Sequence, residues 1–329
     1  MKKVDRIAGW LATQAHRDPS VPSLEQAGGP VLCGTTVAQA FPDLLIDPSG
    51  YVALEHRVGL SFPLPTCETS TDILISELRL LYGIGTRYSE RLREAGYTTI
   101  DSLRAHPRWG RTSADLLDRW GSPPNAVEVY RTLSRWFPSS SPLFLALLGL
   151  IPPESFLFFD LETLGLSGSA VFLIAVGRLV GKDLVVHQYL APSLAEEFAL
   201  LERISNELRT AAVLLSFNGK AFDWIVLKER SAYYGLPLPE TPIHVDLLHH
   251  ARREYGSEVE DCHLSTLETH VLDITREADL PGEQVPFYYT LYLETGNPSP
   301  LVPIIHHNRQ DVVSLALLLA HLLRRGANA

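Results

Sequence analysis

Residues 156–166 read FLFFDLETLGL, an apolar run that spends two carboxylates one residue apart, Asp160 and Glu162. In an extended strand alternate side chains share a face, so both acids project together, in line with Phe156 and Phe158. Neighbouring carboxylates at the end of a buried strand repel, and they either take up protons or hold a cation. Hard oxygen donors suit Mg²⁺ or Mn²⁺. Capping of a loop amide is the plain alternative for either acid.

Two further acids extend the pattern. Asp223 follows a buried strand in LLSFNGKAFDWIVL and opens a helix. That position is close to the carboxyl edge of the sheet, where open α/β sheets place their sites. Asp311 precedes the strongly apolar part of IIHHNRQDVVSLALLL. A first-turn acid favoured by the helix dipole explains Asp223 equally, and a simple cap explains Asp311.

Such acids need a sheet and helices to bring them together. VFLIAVGRLV and LVVHQYLA flank Gly181-Lys182-Asp183 and read as a hairpin; AAVLLSF and PIHVDLL read as further strands. LAEEFALLERISNELR, AFDWIVLKERSAYYG, LSTLETHVL, PFYYTLYLETG and the stretch around HHNRQDVVSLALLLAHLLRR read as helices. Three hairpin-connected strands followed by alternation predict an α/β fold, a mixed sheet with helices on both faces. Ahead of it, 1–75 reads as irregular or β-containing, 76–137 as short helices and PSSSP (138–142) as a linker, leaving 150–329 as the main domain.

In order and spacing, D-x-E on a first strand, an Asp after a mid-domain strand and His before Asp on a late helix resemble the DEDD exonucleases. These have the ribonuclease H-like fold of the DnaQ type. More closely, FFDLETLGLSGSAVFLIAVGRL, NGKAFD, LSTLETHVLDI with DLPGEQVPFYYTLYLETG, and HHNRQDVVSLALLL resemble the YprB ribonuclease H-like family, over roughly residues 150–325. The resemblance implies a 3′–5′ exonuclease in which Asp160, Glu162, Asp223 and Asp311 bind two divalent cations, Mg²⁺ or Mn²⁺. Ions in such sites sit about 3.5–4 Å apart, one activating the attacking water and the other stabilising the departing 3′-oxygen.

A histidine near Asp311 would take the water's proton. His306 has the spacing of the histidine-type enzymes, and His307 stands where the tyrosine-type enzymes carry Tyr. Helix geometry favours His307, because positions five apart diverge by about 140°. His306 needs a break in the helix. Asn218 and Lys220 match the NGK of the family and could touch a phosphate, although a strand-to-helix turn needs the same Asn-Gly chemistry. Thr163, Gly165 and Leu166 follow the D-x-E, where related nucleases meet the terminal nucleotide; a plain loop is the alternative. Asp246 reads as an ordinary strand-end acid or a support for the cluster. Tyr288, Tyr289 and Tyr292 read as core.

LLYGIGTRYSERLREAGYTTIDSL resembles a helix-hairpin-helix element, in which Gly83 and Gly85 let backbone amides approach a phosphate. Arg87, Arg91 and Arg93 would add sequence-independent attraction; a glycine turn used only for packing is the other reading.

The net charge of −10 argues at first against nucleic acid, but its distribution matters more. Residues 1–150 hold 15 basic and 15 acidic side chains, and 151–329 hold 13 and 23. An acidic catalytic half would benefit from a separate basic handle, and DNA is expected before RNA as the partner. Cys33, Cys67 and Cys262 lie far apart, which speaks against a disulfide framework or zinc ribbon. No apolar run approaches the ~18 residues of a membrane span, so the expectation is a cytoplasmic protein. A non-catalytic nucleic-acid-binding protein and an endonuclease of the same fold are the rival readings. In ribonucleases H proper the glutamate lies on a helix away from the first strand's aspartate. Here it is two residues on, which favours the exonuclease.

Overall fold

The computed structural model describes residues 44–165, 168–240, 243–276 and 280–327. The β-prone piece PVLCG falls outside them. Strands β1 (Leu45–Ile46) and β2 (Val52–Gly59) come first, then helices α1 (Cys67–Ile75), α2 (Thr86–Glu94), α3 (Gly110–Trp120), α4 (Ala126–Trp136) and α5 (Leu143–Leu147). There follow β3 (Phe156–Thr163), β4 (Val171–Val180), β5 (Asp183–Leu190), α6 (Glu197–Arg209), β6 (Val213–Ser216), α7 (Asp223–Tyr233) and β7 (His244–Asp246). The chain ends in α8 (Leu247–Tyr255), α9 (Leu264–Leu267), α10 (Val285–Thr295) and the long α11 (Leu301–Ala327).

The strands form one mixed sheet, ordered β1-β2-β5-β4-β3-β6-β7. β3, β4 and β5 are antiparallel neighbours, as the hairpin pattern predicts. The β4–β5 turn is only Gly181-Lys182, because Asp183 already pairs with Val180, and Gly181 takes the positive φ of 63° that such a tight turn favours. β6 then runs parallel to β3, and β7 parallel to β6, which brings the ends of β3 and β6 to one edge.

Two features tie the earlier residues to the main sheet. β2 pairs with β5 from Val52↔Leu190 to Gly59↔Asp183, so the described part of 1–75 extends the main sheet rather than standing apart. Its ladder groups are satisfied by the open edge of β5. The short helices also lack a core of their own. One apolar cluster runs from Leu74, Leu103, Trp120 and Leu133 through Phe144 to Phe156 and Phe158 of β3 and Val312 and Leu319 of α11. Helices of about ten residues bury a face only against something larger, and here that is the sheet.

The opposite face of β3, Leu157, Phe159 and Leu161, packs with Leu200 and Ile204 of α6, Val226 of α7 and Tyr289 of α10. Tyr289 stacks on Phe172 with ring centroids 3.8 Å apart, which makes it core as expected. Gly177 of β4 sets how close α11 comes. A Cβ there would lie 2.8 Å from Val312 Cγ1, so a side chain at 177 would lift the helix that carries Asp311.

Candidate active site

Strand alternation puts Asp160 and Glu162 on the α11 side of β3, past Phe156 and Phe158. Both keep partial contact with solvent, yet lie deep enough among protein atoms that burial is the first influence on each. Asp223 is only 6% exposed. It begins α7 after the turn Asn218-Gly219-Lys220, in which Asn218 has a φ of 61°. Gly219 is required by close approach: a Cβ would stand 2.5 Å from Ser216 Cβ and 3.1 Å from Asp223 Oδ2. Asp311 sits on the uninterrupted α11.

Their charges act on one another. Burial, then the charges of Asp311, Asp223 and Glu162, hold the Asp160 carboxyl well above its usual range, with Asn308 opposing. Glu162 is raised by burial and then by Asp311 and Asp223. Burial pushes Asp223 up to about 7 against the amides of Asp223 and Leu161. Asp311 is raised by burial, opposed by His307 and Arg276. The four acids therefore share one neighbourhood. Among the described residues, no basic side chain pairs with Asp160, Glu162 or Asp223.

Cluster and cation fit in chemistry more than in present disposition. Every donor is a carboxylate oxygen, and mutual repulsion favours a divalent partner. Among the described residues, however, no group of three or more His, Cys, Asp or Glu stands arranged to hold a metal ion. Asp160 Oδ2 accepts from Asn308 Nδ2 at 2.7 Å, and Asp311 Oδ1 accepts from Arg276.

The continuous helix separates the two histidines. His307 Nε2 lies 3.5 Å from Asp311 Oδ2, one turn away. His306 is exposed, and its Nδ1 accepts from Arg309 at 2.7 Å. Pro303 lies in the first turn of α11, where the ring is tolerated, so no break rescues His306. Thr163 is buried and donates to the carbonyl of Gly165; Leu166 lies outside the described residues. Asn218 is exposed, and the Lys220 charge acts on His244 and His250, below the turn. Asp246 is the support for that turn, accepting from the amides of Asn218 at 2.8 Å, Lys220 at 3.1 Å and Leu248 at 3.1 Å.

Sequence reasoning missed Arg276, Glu268, Asn308 and Gln188. Gln188 Nε2 donates to Asn308 Oδ1 at 2.9 Å and so aims the amide at Asp160. A polar Asn inside an apolar helix face, fully buried, was the available signal. In the helical region Gly83 has a φ of 84°, and a Cβ on either Gly83 or Gly85 would meet nothing within 4 Å. Arg87, Arg91 and Arg93 are all exposed, and Arg93 donates to the Ser76 carbonyl at 2.5 Å.

A sheet of this order with paired acids on an interior strand is the architecture of ribonuclease H-like domains. The RNase_H superfamily model matches residues 157–323, and the chain belongs to that superfamily. Among curated proteins it is similar to "Uncharacterized protein YprB" of Bacillus subtilis (strain 168), 36% identical over 173 residues. The match covers 51% of this chain and 42% of that relative, so it spans less than half of the relative's length. Among solved structures, the family B DNA polymerase from the hyperthermophilic archaeon Pyrobaculum calidifontis aligns with a TM-score of 0.42 and 19% identity. That alignment covers 52% of this chain and 24% of the polymerase.

Proposed function

We propose that the chain is a divalent-cation-dependent nuclease that removes nucleotides from a 3′ end. The observation that carries this reading is the trio Asp160, Glu162 and Asp223 at the edge of β3 and β6, with raised proton affinity and, among the described residues, no basic partner. Packing alone gives no reason to gather such charges. Asp160, Glu162, Asp223 and Asp311 would hold the cations. When bound, these would supply the Lewis acidity that activates water and stabilises the leaving oxygen.

The chain's own groups do the rest. His307 is the residue placed to take a proton beside Asp311. Asn308, aimed by Gln188, orients Asp160. The open turn at Gly83-Ile84-Gly85, with exposed Arg87 and Arg91, and the side chains of Asn218 and Lys220 would bind phosphates without reading bases, and DNA is the preferred substrate. Thr163 and Gly165 would line the terminal nucleotide. The helical stretch 76–137 would act as the nucleic-acid module and 150–329 as the nuclease domain. A second reading, a binding protein without catalysis, is favoured by the engagement of Asp311 with Arg276.

End-labelled DNA and RNA strands incubated with Mg²⁺ or Mn²⁺ separate the two. The nuclease shortens a strand stepwise and Asp160→Asn abolishes this. Equal cleavage in chelator, or by the variant, rejects the assignment.

A further inference from the structure

Among the described residues, Arg276 and His307 are the basic side chains that reach the acid cluster, both at Asp311, and the chain goes to some length to put Arg276 there. After α9 the backbone widens into a π-helical turn over Glu268–Leu272, and Asp273 then takes the left-handed conformation with a φ of 57°. The Ile274 amide closes this loop onto the Glu268 carbonyl at 2.9 Å. Eight residues after Glu268, Arg276 therefore returns to it. The guanidinium grips the carboxylate with two donors, Nε to Oε2 at 2.5 Å and NH2 to Oε1 at 2.7 Å. Glu268 is 1% exposed and also accepts from the buried Ser314 hydroxyl, so the anchor is fixed on α11.

Arg276 also reaches the candidate site. Its NH2 donates to Asp311 Oδ1, and its NH1 donates to His307 Nδ1 at 3.2 Å. A guanidinium has no acceptor, so His307 Nδ1 must accept. In neutral imidazole the ring proton then sits on Nε2, the nitrogen that faces Asp311 at 3.5 Å.

We propose that Arg276, anchored by Glu268, is an internal counter-cation of the acid cluster. It competes with divalent cations for Asp311 and engages His307 Nδ1 beside it. Cation binding and release of Asp311 by Arg276 are then one linked event. This rests on the reading of the four acids as cation ligands. Arg276 acts through Asp311 and His307 and is a positioning residue.

The test uses the full chain and Mn²⁺ alone, with unbound Mn²⁺ followed by its electron paramagnetic resonance signal. Wild type binds and Asp160→Asn binds far more weakly. Arg276→Met binds about tenfold more tightly than wild type, the scale of one charge-assisted hydrogen bond no longer displaced. Because that variant strands a buried carboxylate, Glu268→Gln/Arg276→Met is measured beside it and shows the same gain. General structural damage lowers affinity and cannot raise it. Unchanged or weaker Mn²⁺ binding by both variants, while Asp160→Asn still loses it, overturns the role of Arg276 and leaves the ligand assignment standing. No Mn²⁺ binding by any protein overturns both.

Discussion

Two regions of the same sheet bury acids and treat them in opposite ways. Along α6, Glu197 is 1% exposed, yet Arg230 grips it through Nε at 2.7 Å and NH2 at 2.5 Å, and Tyr234 and the Val171 amide also donate to it. Glu207, one helix end away, is held by Arg178, Arg203 and the Tyr189 hydroxyl, and these partners draw its carboxyl below the usual range against burial. At the edge of β3 and β6, Asp160, Glu162 and Asp223 have no basic partner among the described residues, only the Asn308 amide on Asp160 and backbone amides on Asp223, and their carboxyls rise. Burial is shared; compensation is not. The α6 acids are finished as parts of the fold, whereas those of β3 and α7 lack that compensation among the described residues.

The comparison breaks most readily at Arg230. Arg230→Met leaves Glu197 buried and uncompensated, and the expected loss in urea unfolding is about 3–5 kcal/mol. A loss no larger than that of an ordinary surface change would erase the contrast. The next effect runs the other way. Mn²⁺ at about 100 times its dissociation constant stabilises wild type by roughly 2.7 kcal/mol and leaves Asp160→Asn unmoved. Equal stabilisation of both would place the ion elsewhere.

Smaller in size, but sharper in sign, is the pH dependence without added cation. The folded carboxyl of Asp223 stands at about 7 against an ordinary 3.8. A folded state that binds its proton more tightly gains stability below 3.8 and loses it as pH climbs to about 7. Asp223→Asn and Glu162→Gln are therefore expected to raise the melting temperature at pH 8 and to change it little at pH 4. A loss at pH 8 would mean that the acids are already compensated. The smallest effect concerns the outer arginines. Arg87→Ala/Arg91→Ala weakens binding to all sequences alike and lowers the salt slope by about 2, whereas an unchanged slope assigns the glycine hairpin to packing.

Much of this arrangement was legible in the chain. D-x-E inside FLFFDLET needs only strand alternation to put both acids on one face, and the run on α11 needs only helical periodicity to pair His307 with Asp311. Gly177 was readable too, as a lone glycine in a buried strand that marks a close approach. The rest depends on tertiary contact. Nothing local to Arg276 announces that a π-helical turn will return it to Glu268, because one extra residue per turn leaves no mark in hydrophobic spacing. β2 alternates only partly, and its partner β5 lies over 120 positions away, so no local pattern reveals the pairing.

The central claim is that a divalent cation sits among Asp160, Glu162, Asp223 and Asp311. Anomalous diffraction from crystals grown with Mn²⁺ reads this directly. The account predicts a manganese peak bounded by those four carboxylates, with Arg276 drawn off Asp311 toward Glu268. Manganese found only elsewhere, with Arg276 still on Asp311, would contradict it.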